Sequence, residues 1–528
     1  MKKFNVKVIC LTFLILGILS YSNFCSSFRL DINRNNTFLK ESAIIYNKIT
    51  VISDDNTNWN TGSGITPGVA PGLGPQFGAP DMTVDLSGTI HVVWVDETEG
   101  SWGGGWPDCE IMYVNYTEAS GWSNAIVISD GYNGIYWNDK LSYSPSIAVD
   151  NTGNIHVAWV DETDGIWGTD DEIMYVNYTE ASGWSNATLI SDGFNGEYWN
   201  DGISRYPSIA VDTTGKVHVA WVDQTDGIWG TDDEIMYVSN DGTGWTNATV
   251  ISDGFNGEYW NDEFSWDPSI GVDGNNNIHV IWTDNTDGIW GSDVEIMYVS
   301  NEGIGWSNAT VISDGFNGEY LNNNNNSMRA NIAISDSNNI HVVWYNSPDL
   351  FYMDYNIQKI MYTNYTEGIG WSDISIVSDL VRLHNITSDY GPDIAVDSDE
   401  NVYVVWNDLY DDLSYDGSEI LYSSNTGSDW SDPQLISDDE TNWNNGASLV
   451  PSIAIDPNNN IHMIWEDETD GTWGIDDEIL YTSVAQLPPT SPPGDKLPIP
   501  LIITLSVVIP VVIASIIAIS RTIYKKKN

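Results

Sequence analysis

Acidic side chains able to hold a hard cation are the most repeated chemical feature of this 528-residue chain. Asp161, Asp164, Asp170 and Asp171 crowd the segment 161–172; Asp223, Asp226, Asp232 and Asp233 recur in the next copy, and Asp467, Asp470, Asp476 and Asp477 in a later one. Carboxylate, amide and carbonyl oxygens are what calcium takes as ligands. Glycines in the same segments allow the sharp bends of a chelating backbone. The spacing is not that of an EF-hand, so two readings stand: calcium sites, or hydrogen-bonded acidic turns with no ion. Aromatic residues share these loops. Trp167, Trp229, Trp290 and Trp473 fall at one equivalent point, and Tyr198–Trp199 and Tyr259–Trp260 form a second set. Aromatic faces beside Asp and Asn suit sugar rings, by stacking and by hydrogen bonds to hydroxyls. The alternative is a packing plug between loops.

Glutamates and histidines recur just as regularly. Glu110, Glu172, Glu234, Glu295, Glu419 and Glu478 occupy one equivalent position, where the fifth copy has Lys359. A reacting centre is unique in a domain, so repetition argues for a structural duty over glycosidase chemistry, which needs one pair of carboxylates. His91, His156, His218, His279, His341 and His462 come once per copy; a ring would spread them too far apart to converge on a metal. His384 stands outside the pattern.

These groups are placed by a tandem repeat. Its ruler is a tryptophan at positions 94, 159, 221, 282, 344, 406 and 465. One unit, from Ser146 to Gly193, reads as four short strands: A over 146–150, B over 154–161, C over 172–178 and D over 186–191. Strand B is apolar at nearly every position, which suits a strand covered on both faces. Seven four-stranded sheets, each sandwiched by its neighbours, make a seven-bladed β-propeller. The last copy ends after strand C, while 49–53 is a D strand with no A, B or C before it. The N-terminal strand should therefore complete the final blade and remove exposed edges. Short A–B and C–D turns then share one side of the disc. The long acidic and aromatic B–C and D–A segments share the other, where function is expected.

The C–D hairpin 419–437 resembles that of sialidase-type Asp-box (BNR) propellers: Ser423, Asn425, Gly427 and Trp430 keep the motif spacing, with Asn for Asp. Residues 239–245 and 300–306 keep its flavour but are one residue short. The resemblance spans about 49–486 as a blade pattern and implies fold more than activity. Sialidases grip a substrate carboxylate with three arginines, beside a Tyr–Glu nucleophile and an Asp acid/base. Arg205 before Tyr206–Pro207 matches their arginine signature, Arg329 lies one position out of register, and Arg382 lies in a divergent loop. A clamp of this kind rests on bidentate, permanently charged guanidinium groups. Singular binding is expected where copies diverge, at the mouth between the fourth and sixth.

The chain ends carry other signals. Residues 1–27 read as a signal peptide and 28–48 as a linker. After the propeller (49–486) come a proline-rich spacer (487–498), an apolar run long enough to cross a bilayer as one helix (499–520) and a basic tail (521–528). This predicts a single-pass cell-membrane protein with the propeller outside and the tail in the cytoplasm. Cys10 and Cys25 leave with the signal, so Cys109 is alone and there is no disulfide framework. Sequons recur at Asn115, Asn177 and Asn364 and at Asn186, Asn247 and Asn308. The net charge is −57, with 75 acidic against 18 basic residues, so the basic stripe that nucleic acid requires is missing. The expected function is a non-catalytic binding or adhesion module for glycan or a surface protein, assisted by calcium. A sialidase-like or other glycoside hydrolase and a structural surface-layer component are the alternatives.

Overall fold

The computed structural model describes residues 49–53, 79–96, 109–130, 140–162, 170–192, 202–224, 232–253, 263–285, 293–314, 326–347, 357–382, 391–409, 418–427, 429–437, 446–469 and 478–484. The chain forms seven antiparallel sheets, and the blades are numbered here by the tryptophan ruler, from Trp94 to Trp465. Blade 3 is representative. Strand A (Ser204–Val211) pairs with B (Val217–Asp223), B with C (Glu234–Asn240), and C with a short D (Thr249–Val250). Strands A of successive blades are neighbours, so A is the innermost strand and D the outermost. Strand A begins earlier than the repeat suggests and contains a bulge. Strand D, expected over 186–191 in blade 2, contracts to Thr188–Leu189, because three residues of this edge bow away from two on strand C.

Every residue of strand B is buried in blades 1, 2, 3, 4 and 7. Its tryptophans, from Trp94 to Trp465, are at most 1% exposed. Burial on that scale is the main source of cohesion between blades.

The ring closes as the repeat arithmetic predicts. Thr50 pairs with Tyr481 and Val51 with Leu480, so the N-terminal strand forms the outer edge of blade 7. The Ile52 N–H donates to the Ile479 carbonyl (2.9 Å), and the Ser53 hydroxyl donates to Glu478.

A belt of polar contacts joins the innermost strands. The Ile147 N–H donates to Asp81 (2.9 Å), Ile209 to Ser146 (3.4 Å), Ile270 to Ser208 (3.2 Å) and Ile332 to Ser269 (3.3 Å). The Asn331 amide donates to the Pro392 carbonyl (3.0 Å), the Ile453 N–H to Asp393 (2.9 Å) and the Ser452 hydroxyl to Asp81 (3.5 Å). One contact thus crosses each of the seven blade junctions.

Among the described residues no helix is long and apolar enough to cross a membrane. The expected segments 1–27, 28–48, 487–498, 499–520 and 521–528 lie outside the described residues.

Candidate functional site

The recurring acids and histidines are spent on the framework. Strand C opens on a buried glutamate in blades 1, 2, 3, 4 and 7, and in blade 6 the half-buried Glu419 is its second residue. Ser191 donates its hydroxyl to Glu172 and accepts the Ile173 N–H (2.8 Å). Ser129–Glu110, Ser252–Glu234, Ser313–Glu295, Ser437–Glu419 and Ser53–Glu478 repeat the contact. Burial pushes Glu172 and Glu234 up to about 9, and Glu295 to about 8. The exception is Lys359, which is exposed.

Each repeated histidine joins its Nδ1 to a tyrosine hydroxyl on strand C, as His218 does with Tyr237 at 2.6 Å and His156 with Tyr175 at 2.7 Å. The other ring nitrogen faces an acid of an A–B turn, Asp212 for His218 at 3.5 Å. In blade 5, where Ser335 replaces that aspartate, Glu400 from blade 6 faces His341 at 3.9 Å. Burial depresses His156, His218 and His341 to about 4, so they are neutral bracing groups.

The eight candidate metal aspartates do not act as one set. Asp161 accepts the Trp159 indole N–H and the Ser142 hydroxyl, both at 3.1 Å. Asp223 repeats this with Trp221 (2.9 Å) and Ser204 (3.1 Å). Asp170 and Asp232 lie close enough to Glu172 and Glu234 to raise them. Asp171 accepts the Tyr143 hydroxyl at 2.8 Å and pairs with Arg205 at 3.5 Å. Asp233 accepts the Gln224 amide at 3.1 Å. Asp164 and Asp226 lie outside the described residues, as do Trp167, Trp229, Trp290, Trp473, Trp199, Trp260, Tyr198 and Tyr259. Among the described residues no group of three acidic, histidine or cysteine side chains is placed to hold a metal ion. Cys109 is buried and unbridged.

What remains is an unrepeated cluster on the bulges of strand A. Ser144, Tyr206, Asp267, Arg329 and Val450 hold equivalent bulge positions with φ of 50°, 54°, 48°, 56° and 50°. The left-handed region costs a side-chain-bearing residue about 1–3 kcal/mol and persists only where its surroundings impose it. Here the same backbone bend carries a different residue in each of five blades. Tyr206 is raised to about 12, by burial first and then by Asp267, and is drawn down by Arg205 and Arg329. All four are therefore electrostatic neighbours. Burial raises Asp267, and Arg329 opposes that shift. The Arg329 N–H is anchored on Thr283 Oγ1 at 2.9 Å. In blade 6 the matching residue is Gly391, where an added Cβ would sit 2.4 Å from the Arg329 carbonyl oxygen. Beside the cluster Phe264 stacks on Trp266, with centroids 5.7 Å apart and planes at 19°, and Phe264 is 44% exposed.

Of the three arginines, Arg205 is ion-paired and Arg329 lies one bulge position further on, as its register implies. Arg382 was expected in a loop but ends the outer strand Ser375–Arg382 of blade 5, where it pairs with Ile357 because strand D is longer in this blade. Phe264, Trp266, Tyr206 and Asp267 were not singled out by the repeat pattern. For Tyr206 and Asp267 the signal was the place just before a proline of strand A, Pro207 and Pro268; Phe264 and Trp266 carried none.

The hairpin that carries the Asp-box resemblance is built as a turn. The Gly427 N–H donates to Asn425 Oδ1 at 3.1 Å, Asn425 bridges to Trp430, and Trp430 packs on Tyr362 of blade 5.

Fold and site together define a closed, seven-bladed, all-β propeller whose recurring ionisable groups serve its framework and whose singular side chains gather on the inner bulges. No protein-family model matches the sequence, and no curated protein matches it. Among solved structures it is similar to polysaccharide lyase Uly1, at 11% identity over 83% of this chain and 99% of that one, with a TM-score of 0.50. It is also similar to the NanB sialidase of Streptococcus pneumoniae (12% identity, 80% and 70% covered, TM-score 0.37) and to the leech intramolecular trans-sialidase (12%, 85% and 70%, 0.37). At this identity the likeness is one of fold.

Proposed function

We propose that this protein is a membrane-anchored, extracellular propeller that binds a glycan without turning it over. The observation that carries this reading is the division of labour among its polar groups. Glutamates and histidines suited to acid–base work are tied to serine and tyrosine partners blade after blade. The side chains left singular are an exposed aromatic stack, a tyrosine, an aspartate and two arginines. That is a recognition set, with apolar faces for sugar rings and polar groups to fix orientation. The loop tryptophans, from Trp167 to Trp473, would widen the surface, and near-identical sites on neighbouring blades favour weak multivalent contact. Calcium on the acidic loops is proposed as an aid to that binding. A surface protein carrying such glycans is the natural partner.

The test is a glycan-array screen of the full chain with and without chelator. We expect saturable binding that falls at least about tenfold in Phe264→Ala combined with Trp266→Ala. No binding to any glycan would defeat the proposal, and an unchanged signal in chelator would remove calcium from it.

One observation favours a second reading, a sialidase-like hydrolase: Arg205 and Arg329 both act on Tyr206. Turnover of a sialoside that disappears in the Arg205, Arg329 and Arg382 triple alanine variant would decide for the enzyme.

A further inference from the structure

The outer edges of blades 2, 3 and 4 share a feature that ligand binding does not use. Between the C–D turn and strand D the chain leaves its ladder for the residues Asn186–Ala187, Asn247–Ala248 and Asn308–Ala309. The segment is tied down at both ends. The Ser185 N–H donates to the Asn177 carbonyl (2.8 Å), and Thr188 rejoins strand C opposite Tyr175; Thr246 and Ser307 donate alike to Ser239 (2.9 Å) and Ser300 (2.7 Å). The three alanines are half-buried and pack against the core. Alternation then turns the asparagine and the following threonine outward, and Asn186, Thr188, Asn247, Thr249, Asn308 and Thr310 are all exposed.

We propose that Asn186, Asn247 and Asn308 are N-glycosylation sites whose sugars cover the open strand D edges of these three blades. Both groups the modification needs, the asparagine amide and the hydroxyl two residues on, face solvent from an anchored bow in the backbone. The second NYT series differs. Asn115, Asn177 and Asn364 lie half-buried within strand C, paired with His91, His156 and His341. The proposal rests on the extracellular placement. The co-reactant is a lipid-phosphate-linked oligosaccharide: its anomeric C–O bond breaks, a bond from that carbon to the asparagine Nδ2 forms, the amide gives up one proton and the lipid phosphate leaves as an anion.

The other blades show what the position is for. Blades 5 and 6 have Asp373 and Asp432 there, both exposed. Charge is one established way to blunt an edge that would otherwise pair with another sheet, and a bulky solvated sugar does the same. Blade 1 has Asn124 exposed, but Ile126, 42% exposed, stands where the threonine should be. It is a built-in control.

The experiment expresses the chain in a host with N-glycosylation, once with its own N-terminus and once with a host export signal replacing residues 1–27. Secretion of the first tests the extracellular placement by itself. Peptide masses from the second test the sites. We expect sugar on Asn186, Asn247 and Asn308, one glycan mass lost with each Asn→Gln change, none on Asn124, and a new one on Asn124 in Ile126→Thr. Exported chain with the three asparagines bare, or Ile126→Thr that gains nothing, would overturn the proposal.

Discussion

The indole of Trp245 stands on edge against the ring of Tyr175, with centroids 4.9 Å apart and planes at 80°. The two residues belong to successive blades, and the same pair recurs as Tyr113–Trp184, Tyr237–Trp306, Tyr298–Trp371, Tyr362–Trp430 and, across the closure, Tyr481–Trp122. Each of these tyrosines also holds a histidine of its own blade. The aromatic pair therefore couples the brace within one blade to the turn of the next. Only the junction of blades 6 and 7 has no such pair among the described residues, because blade 7 is assembled from the two ends of the repeat array.

Trp245→Ala is expected to cost about 3–5 kcal/mol, the usual penalty for emptying a buried large aromatic site. Urea unfolding would measure it as a lower midpoint with an unchanged slope. A loss under about 1 kcal/mol would mean that the blades do not cohere through this contact.

Closure is tested by Ile52→Pro. The chain loses the N–H that donates to the Ile479 carbonyl (2.9 Å) and meets a fixed φ next to Thr50 and Val51, which pair with Tyr481 and Leu480. We expect blade 7 to detach, seen as early hydrogen exchange in 478–484 and a thermal midpoint lower by several degrees. Protection in 234–240 should persist near the wild-type level.

The belt makes stability depend on pH. Asp393 is raised to about 7 by burial and by facing Asp81, and Asp81 is raised to about 6 by burial, from an ordinary 3.8. Both bind protons in the folded chain at pH values where the unfolded chain has released them. Their stabilising contribution is therefore complete below about pH 4 and lost as the pH rises through 6 and 7. Asp393→Asn removes the Asp393 share of that dependence. Compared with wild type, the variant should gain thermal stability at pH 8 relative to pH 5. The depressed histidines act in the opposite sense below about pH 6.5, but they are common to both proteins and cancel in the difference. A constant gap across this range would refute the assignment.

Gly391→Ala probes the inner bulges. The new Cβ would meet the Arg329 carbonyl at 2.4 Å, and overpacking of this kind costs about 1–3 kcal/mol. Since Arg329 must move, glycan binding should fall more than stability does. Equal binding by variant and wild type at a temperature where both are folded would separate Arg329 from the ligand surface.

Much of this architecture was legible in the chain. The tryptophan period, the apolar strand B and the truncated last copy predict seven blades and the closing strand, because burial on both faces and the need to pair an edge leave few other solutions. Repetition also marked Glu172 and His156 as structural, and each has a framework partner. Strand D was overestimated, because a periodic apolar pattern cannot reveal where an outer edge leaves its ladder at Asn186–Ala187.

The sequence by itself determined how many blades there are, which residues recur and which strand each one occupies, since these follow from local periodicity and from the cost of leaving apolar faces or strand edges in water. Only the tertiary structure decided which singular residues meet. Tyr206, Asp267 and Arg329 are about 60 residues apart along the chain, and although they hold one repeat position, nothing local says that they meet. They become neighbours because successive strands A lie side by side and each residue sits on the positive-φ bulge of its strand.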